Sequence, residues 1–216
     1  MDIKLYYTPR TRATRVRWLL EELDQPYQLI NIDLFGGEGS AAEYKKIHPL
    51  GCVPAIDIDG NIMIESTAIC EWLADQFPEN DLAPDINSAA RMKYTQWLYF
   101  ISATLEPQAW NYILHTRLLP EAQRIPSVVS WSEQKFKQAL SVINDELKDK
   151  QFIMGDNFTT ADIILTNILS WLPKLTKSYG YTFDYMKKIM QRDKYIIACQ
   201  QESCLLYTSP SPRDED

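Results

Sequence analysis

The sequence is poor in histidine and in paired cysteine. It has only two histidines, His48 and His115, and four cysteines with no Cys-x-x-Cys pair and no Cys/His metal spacing. These shortages argue against a structural zinc site. Few, unclustered cysteines are also typical of proteins from a reducing compartment.

Long apolar runs and a basic surplus are missing too. No apolar stretch approaches the ~20 residues that span a membrane, and the first ten residues lack the apolar core of a secretory signal. The formal net charge is −7, whereas proteins that neutralise many phosphates usually carry a basic excess. We therefore expect a cytoplasmic globular protein without a membrane segment and without a nucleic-acid partner.

The end of the chain has a different composition from the rest. Residues 204–216, "CLLYTSPSPRDED", are rich in Ser, Pro, Arg and Asp, and Cys204 to Asp214 match the translation of a transposase sequencing adapter. A natural disordered tail is the alternative. We predict that this segment is adapter-derived and that the native chain is interrupted near Ser203.

The first 80 residues alternate short strand patterns with helical ones. "IKLYY" and "PYQLINI" flank the helical pattern "ATRVRWLLEEL", in which Val16, Leu19, Leu20 and Leu23 share one face. This order predicts a βαβ unit with parallel strands. "AIDIDGNIMI" then predicts a hairpin around Asp59-Gly60, with Ile56 and Ile58 facing Ile62 and Ile64, and "ESTAICEWLADQF" predicts a helix.

From residue 89 onward the pattern is helical only. The stretch 81–88, with its prolines, asparagines and acids, reads as a linker between a domain at 1–80 and an all-helical domain at 89–203. Pro107 and Pro173 should kink or end their helices. In "FTTADI", Thr159 and Asp162 predict a capping box that stabilises a buried helix.

Two motifs in the first domain have the chemistry of a binding site. In "GCVPAIDI", Val53-Pro54 stands just before a strand, where the dipeptide alone favours a trans proline at the first strand position. In "IMIESTAI", Ser66 and the open amides of a helix N-terminus can hold a carboxylate, and Glu65 can pair with an ammonium group. Together they suit the head group of an α-amino acid, although capping of their own helix is the commoner role of such residues.

The segment "YYTPRTRATRVRWLL" crowds four arginines and three threonines around the start of the first helix. It is either a basic arm or the rim of a site for a small anion. Arg17 can pair with Glu21 one turn later, and we expect Arg15 and Arg17 on a solvated face or in an ion pair between domains.

In this order and spacing, the βαβ unit, "GCVP", "ES-T-AI", the linker and "FTTADI" resemble the cytosolic glutathione transferase superfamily over roughly residues 3–200. The first helix, "RVRWLLEEL", is most similar to bacterial and fungal members. The resemblance implies an α/β thioredoxin-like N-terminal domain, an all-α C-terminal domain and glutathione as cosubstrate, with no metal.

The resemblance also implies roles for particular residues. Pro54 becomes a cis proline, and Val53 presents its backbone to the cysteinyl part of glutathione. Glu65 and Ser66 take the γ-glutamyl amine and carboxylate. Relatives often have Lys, Gln or His at or beside the position of Cys52 to meet the glycyl carboxylate; Arg10 or Arg12 is our candidate for that charge.

The thiol of glutathione has a pKa of about 8.5, so the protein must stabilise the thiolate. If the first strand ends near Tyr7, Thr11 is the helix N-cap, and it aligns with the serine that other members use. We predict Thr11 as the activating hydroxyl, with Thr8 and Tyr6 as alternatives and a plain cap as the structural reading of Thr11. The turn that carries Cys-x-x-Cys in thioredoxin-like redox proteins reads Thr11-Arg12-Ala13-Thr14, which argues against a cysteine-type mechanism.

For the second substrate we expect a small hydrophobic electrophile bound by the helical domain. Five aromatic residues there are candidates, most of them expected in the core: Tyr94, Trp97, Tyr99, Phe100 and Trp110. The resemblance further implies a detoxifying homodimer. A glutathione-dependent disulfide or peroxide reductase and a non-catalytic transferase-like module are the alternatives.

Overall fold

The computed structural model describes residues 1–204, and side chains through residue 199. By their internal contacts the described residues form two compact units, one of residues 1–73 together with those from 191 onward, the other of residues 74–190. The predicted domains at 1–80 and 89–203, with a linker at 81–88, stay a prediction; by internal contacts, residues 74–88 group with the second unit and the last helix groups with the first. The predicted tail lies outside the described residues, apart from the helical backbone at 204.

The first unit is built on a four-stranded mixed sheet in the order β2-β1-β3-β4. Strands β1 (Ile3–Tyr7) and β2 (Gln28–Asn31) are parallel, as predicted, and α1 (Ala13–Glu22) connects them. Because β1 alternates buried and half-buried residues, Ile3, Leu5 and Tyr7 lie in the core. The predicted apolar face of the first helix is confirmed, since Val16, Leu19, Leu20 and Leu23 are all buried.

The predicted hairpin is confirmed, but its side-chain pairing is wrong. Strands β3 (Ala55–Ile58) and β4 (Asn61–Ile64) are joined by Asp59 and Gly60, both with positive φ. A two-residue turn of this kind places Ile58 opposite Asn61 and Ile56 opposite Met63. The register is therefore shifted by one residue from the predicted pairs of isoleucines, and Ile62 is exposed whereas Ile56 is buried.

Two further α-helices lie in the chain before the linker. A short helix α2 (Ala42–Lys45) precedes the loop to β3, and α3 (Ser66–Gln76) follows β4.

Helix α10 (Asp193–Cys204) returns to α1. Arg192 forms a bidentate ion pair with Glu22 at 2.7 Å for both bonds, and Trp18 Nε1 donates to Glu22 at 2.9 Å. Tyr195 packs edge-on against Trp18 with ring centroids 4.8 Å apart. The last described helix thus braces the first one.

The second unit is helical. Its elements after the linker are α4 (Ala89–Tyr99), a π-helical stretch (Phe100–Leu105), α5 (Glu106–Ile113), a second π-helical stretch (Leu114–Leu118), α6 (Pro126–Glu146), α7 (Thr160–Trp171), α8 (Pro173–Thr176) and α9 (Gly180–Ile189). Pro107 does not end its helix: it lies in the first turn of α5, directly after π-helical backbone, where its missing N–H removes a regular α-helical bond. Pro173 separates α7 from α8, as predicted.

The predicted capping box at the start of α7 is confirmed. Asp162 accepts hydrogen bonds from the Thr159 N–H and from the hydroxyl of Tyr185, at 2.8 and 2.7 Å. The Oδ1 atom of Asp162 also accepts a hydrogen bond from the Ile153 N–H. In the predicted linker, the carbonyl of Leu82 accepts the Thr160 N–H at 2.8 Å, so the linker is pinned to this helix start.

Candidate active site

Three sequence motifs meet at one end of the sheet. Tyr6 of β1 pairs with Ala55 of β3, and Ala55 pairs with Ile64 of β4. The turn after β1, the Val53-Pro54 segment before β3 and the start of α3 after β4 therefore leave the sheet at the same end. Strand register alone brings the predicted residues of 8–12, 53–54 and 65–66 into one neighbourhood.

Thr11 lies in the turn between β1 and α1. The helix begins at Ala13, so the N-cap position falls on Arg12, one residue later than predicted. The hydroxyl of Thr11 nevertheless serves the helix start, because it accepts the Ala13 N–H at 3.2 Å and donates to the Thr8 carbonyl at 2.7 Å. The side chain is half-buried, and the first turn of α1 contains no acidic residue.

The two alternative hydroxyls have different surroundings. Thr8 is buried and donates to the carbonyl of Ile32 at 2.6 Å, which ties the turn to the end of β2. Tyr6 lies on the other face of β1 from the buried Tyr7, and its ring is 5.9 Å from that of Tyr44 in α2. Of the three candidates, Thr11 combines partial exposure with a place at the N-terminus of α1, where it accepts the N–H groups of Ala13 and Thr14.

The Val53-Pro54 peptide bond is cis, which confirms the expectation drawn from the resemblance. The side chain of Val53 is buried, and Cys52 before it is exposed. The Tyr44 hydroxyl donates to the Cys52 carbonyl at 2.7 Å, and burial raises the pKa of Tyr44, so this donor stays protonated. Gly51 has a φ of 65°, and a side chain there would meet the Gly39 backbone.

Glu65 and Ser66 form the start of α3. Glu65 is exposed and has a φ of 71°, a left-handed conformation that is rare outside glycine and asparagine and that often marks functional sites. Its carbonyl accepts the Ile69 N–H at 2.9 Å, so its backbone initiates the helix while its carboxylate is turned to solvent. Ser66 is buried, with its hydroxyl in the first turn.

Arg15 and Arg17 are buried, so the expectation of a solvated face is wrong. Arg15 donates to the Ser66 hydroxyl oxygen at 3.4 Å. Arg17 donates to the hydroxyl of Tyr27, which in turn donates to Glu21 at 2.6 Å. The predicted Arg17–Glu21 interaction is thus bridged by a tyrosine whose pKa is raised to about 12, mainly by burial.

Arg10 and Arg12 flank the turn. Arg10 is exposed with a φ of 59°, and Arg12 is half-buried just before α1. Their predicted contact with the glycyl carboxylate stays a prediction.

Sequence reasoning missed His48. It is buried in the loop before Val53, and its Nδ1 has no hydrogen-bond partner among the described residues. Burial lowers the pKa of His48, while the charge of Glu65 acts in the opposite direction. The effect of Glu65 on His48 links residues 17 positions apart, and no local pattern reveals it.

The aromatic candidates in the helical unit divide into two groups. Tyr94 and Trp97 are buried in the core, whereas Tyr99 and Trp110 expose about a third or more of their surface. Over the part of the chain that is described, no cluster of His, Cys, Asp and Glu is arranged to hold a metal ion. Within the same residues, no helix is long and apolar enough to cross a bilayer.

Comparison with known proteins gives a consistent family. The family model described as glutathione S-transferase, N-terminal domain, matches residues 5–81, and the model for the glutathione S-transferase C-terminal domain matches residues 108–193. The glutathione S-transferase GstA of Escherichia coli O157:H7 is 31% identical over 171 residues, covering 78% of this chain and 82% of that protein. Glutathione S-transferase 3 of Schizosaccharomyces pombe is 31% identical over 170 residues, covering 74% of this chain and 70% of that protein.

Solved structures agree with the sequence relatives. A glutathione transferase from Methylococcus capsulatus strain Bath superposes with a TM-score of 0.82 at 27% identity, over 94% of this chain and 99% of that chain. The chain belongs to the glutathione S-transferase family. The predicted fold class and the predicted assignment as a glutathione transferase are confirmed at the level of the family.

Proposed function

We propose that this protein activates the thiol of glutathione at the turn between β1 and α1, with Thr11 as the hydroxyl that donates to the sulfur. A thiolate placed there receives a hydrogen bond and the partial positive charge of the helix N-terminus, and both lower the pKa of a thiol. The observation that carries the proposal is the strand register, which puts Thr11, Val53-Pro54 and Glu65-Ser66 at one end of the sheet.

Activation requires one local change at Thr11. Its proton now points to the Thr8 carbonyl, so it must turn toward the sulfur when glutathione binds. The rotation of a hydroxyl costs little, and Thr11 keeps its acceptor role toward Ala13. Thr8 is the weaker candidate, because a buried hydroxyl would leave the Ile32 carbonyl without its partner.

The rest of the tripeptide is assigned from chemistry. The carboxylate of Glu65 suits the γ-glutamyl amine, and Ser66 at the start of α3 suits the γ-glutamyl carboxylate. The Val53 backbone before cis-Pro54 suits the cysteinyl peptide group, as in strand addition. Arg10 or Arg12 is assigned to the glycyl carboxylate, because Cys52 offers no charge.

The second substrate is proposed to be a small hydrophobic electrophile, attacked by the thiolate in a detoxifying reaction. A homodimer in the cytoplasm is proposed with it, on the strength of the family alone.

The test is turnover of glutathione with a general aromatic halide by wild type, Thr11→Val, Thr11→Ser and Thr8→Val. Thr11→Val keeps the shape and removes the hydroxyl, and we expect a loss of about 100-fold in kcat/KM, with Thr11→Ser retaining most activity. Thr116→Val is a matched control, because its hydroxyl donates to the Tyr112 carbonyl inside the helical unit. Full activity in Thr11→Val with loss in Thr8→Val would reassign the activating residue, and no turnover by the wild type would refute the proposed reaction.

A further inference from the structure

His48 is a buried titratable side chain that the proposed reaction does not use. It is only 6% exposed, and its Nδ1 has no hydrogen-bond partner among the described residues. Burial lowers the pKa of His48, so the imidazole is mostly neutral at pH 7. A buried polar atom without a partner is uncommon in folded proteins, and here it belongs to a group that can gain a charge.

The backbone around His48 holds it at the end of the sheet that carries the candidate site. Its N–H donates to the Tyr44 carbonyl at 2.9 Å, and its carbonyl accepts the Gly51 N–H at 2.8 Å. The turn that these two bonds fix leads directly into Val53 and cis-Pro54. His48 therefore belongs to the loop that presents the proposed backbone contact of glutathione.

Glu65 reaches the same end of the sheet from the other strand of the hairpin. Ala55 pairs with Ile64, so the residues just outside this pair, Pro54 and Glu65, follow each other at the end of the hairpin. Glu65 is exposed, and within the described residues no lysine or arginine forms an ion pair with it. While His48 is neutral, the Glu65 carboxylate thus has no cationic partner in the described part of the chain.

The other titratable groups around His48 leave Glu65 as the charge that matters. The Tyr44 hydroxyl donates to the Cys52 carbonyl, and burial raises the pKa of Tyr44, so it stays neutral. Cys52 is exposed. Three charged residues of the α2 segment are also exposed: Glu43, Lys45 and Lys46. Of all these groups, Glu65 is the one whose charge favours the protonated form of His48.

Protonation of His48 would add a positive charge that the Glu65 carboxylate attracts. The same carboxylate is assigned to the ammonium of the γ-glutamyl group. Two cations that depend on one carboxylate oppose each other, because each weakens the attraction that the other feels. Such a coupling between two binding events is reciprocal.

We infer that His48 is a positioning residue that makes the glutathione site sensitive to pH: its neutral form leaves the Glu65 carboxylate to the γ-glutamyl ammonium, and its protonated form takes that carboxylate as a counter-ion. The inference rests on the proposed function. Bound glutathione in turn opposes protonation of His48. The affinity for glutathione therefore falls as the pH drops through the range in which histidine titrates.

The test measures Kd for S-methylglutathione by titration calorimetry from pH 7.5 to pH 5. The methyl group removes the ionisation of the thiol, so it does not contribute to the pH dependence. We expect the Kd of wild type to rise about threefold or more over this range, and that of His48→Asn and His48→Gln to change less than about 1.5-fold. His115→Asn replaces the other histidine of the chain, whose Nδ1 accepts the Ile125 N–H in the helical unit, and should follow wild type.

A ligand without the amine separates this role from a structural one. In S-methylated glutaryl-Cys-Gly the carboxylate is kept and the ammonium is absent, so we expect its Kd with wild type to change less than about 1.5-fold over the same range. In parallel, the ring-proton resonance of His48, assigned by its loss in His48→Asn, is titrated by NMR. The pKa of His48 should fall when S-methylglutathione binds and stay unchanged with the glutaryl analogue.

The outcomes separate the inference from the proposed function. A wild-type pH dependence in both His48 variants, or an equal dependence with the glutaryl analogue, would overturn the inference and leave the transferase assignment intact. So would a Kd that the His48 variants shift by the same factor at every pH, as a purely structural histidine would; circular dichroism at both ends of the range checks that each variant is folded. A wild type that binds no S-methylglutathione at pH 7.5 would refute the proposed glutathione site and the inference with it.

Discussion

Helices α1 and α7 both follow a threonine whose hydroxyl lies at the helix start, but the two helix N-termini differ in the charged groups around them. At α7, Thr159 is buried and Asp162 stands in the first turn, where it accepts from Thr159, Ile153 and Tyr185. At α1, Thr11 is half-buried and no acid stands in the first turn. A carboxylate of the protein neutralises one helix end, and the other is left able to receive an external anion.

The comparison teaches that similar sequence signals complete a helix start in one unit and, in the function proposed above, serve ligand binding in the other. Thr-x-x-Asp supplies its own anion, so the start of α7 is complete before any ligand arrives. The start of α1 has Arg15 at the third helical position, where α7 has Asp162, and the amides of Ala13 and Thr14 are bonded to Thr11 and not to a carboxylate. Variants at the two sites should therefore separate stability from activity.

The largest effect on stability is expected at the start of α7, where Asp162 is enclosed by its hydrogen-bond partners. Asp162→Ala leaves the Tyr185 hydroxyl and the Ile153 N–H buried without their acceptor, and we expect a loss of about 3–5 kcal/mol in the free energy of unfolding, measured in urea. Activity per folded molecule should be retained. Asp156→Ala, at an exposed position before the same helix, is the control and should change stability by less than about 0.5 kcal/mol. A small loss in Asp162→Ala would mean that the network is not a stability element.

At the candidate glutathione site, a variant should instead gain stability and lose activity. Glu65→Gly removes the backbone strain of a non-glycine residue in the left-handed conformation, so we expect the free energy of unfolding to rise by about 1 kcal/mol. It also removes the carboxylate, so we expect KM for glutathione to increase about tenfold or more. The measurement is paired denaturation and initial-rate kinetics. Asp81→Gly also relieves a left-handed residue and should raise stability without touching KM. If Glu65→Gly lost stability, the strained backbone would have a structural role instead.

A smaller effect is expected from the cysteines, because the reactivity of each thiol reports directly whether it is buried or exposed. Burial raises the pKa of Cys70 to about 12, so at pH 8 its thiol is neutral and shielded, whereas Cys52 is exposed. A chromogenic disulfide reagent should label Cys52 in the folded protein and leave Cys70 unmodified, so Cys52→Ser should lower the signal by one thiol and Cys70→Ser should preserve it.

The same shift has a defined sign in stability. Because the folded pKa of Cys70 lies above its ordinary value of 9.0, the stabilisation that it contributes is complete below pH 9 and is lost as the pH rises toward 12. The Cys70→Ser variant should therefore lose stability less steeply over that range. Rapid labelling of Cys70 at pH 8 would contradict its burial.

Much of the fold could be predicted because its elements have strong local signals. The apolar spacing of α1 and the Asp59-Gly60 turn predicted a βαβ unit and a hairpin that the structure contains. The hairpin register could not be read from the isoleucines, since a two-residue turn pairs Ile58 with Asn61 whatever their hydrophobicity. The pairing of α10 with α1 depends on residues about 170 positions apart, such as Arg192 and Glu22, and no local pattern contains it.

The candidate site was predictable in its outline and not in its buried charges. The residue types at 11, 53–54 and 65–66 identified the neighbourhood, and the strand register brings them together. Arg15 was assigned to a solvated face or to an ion pair between domains, and the solvated face is wrong because Arg15 is buried; its spacing of four from Leu19 placed it on the buried side of the helix. His48 gave no signal at all, because its burial and its relation to Glu65 are tertiary.

The most direct test of thiol activation by Thr11 at the start of α1 is the pKa of the glutathione thiol in the complex. It is measured from the ultraviolet absorbance of the thiolate during a pH titration of the complexes of wild type, Thr11→Val and the control Thr116→Val. We predict that wild type and Thr116→Val lower the pKa of the thiol by at least about one unit from its free value of about 8.5, and that Thr11→Val returns it most of the way. An equal depression of the pKa in Thr11→Val and wild type would contradict the account.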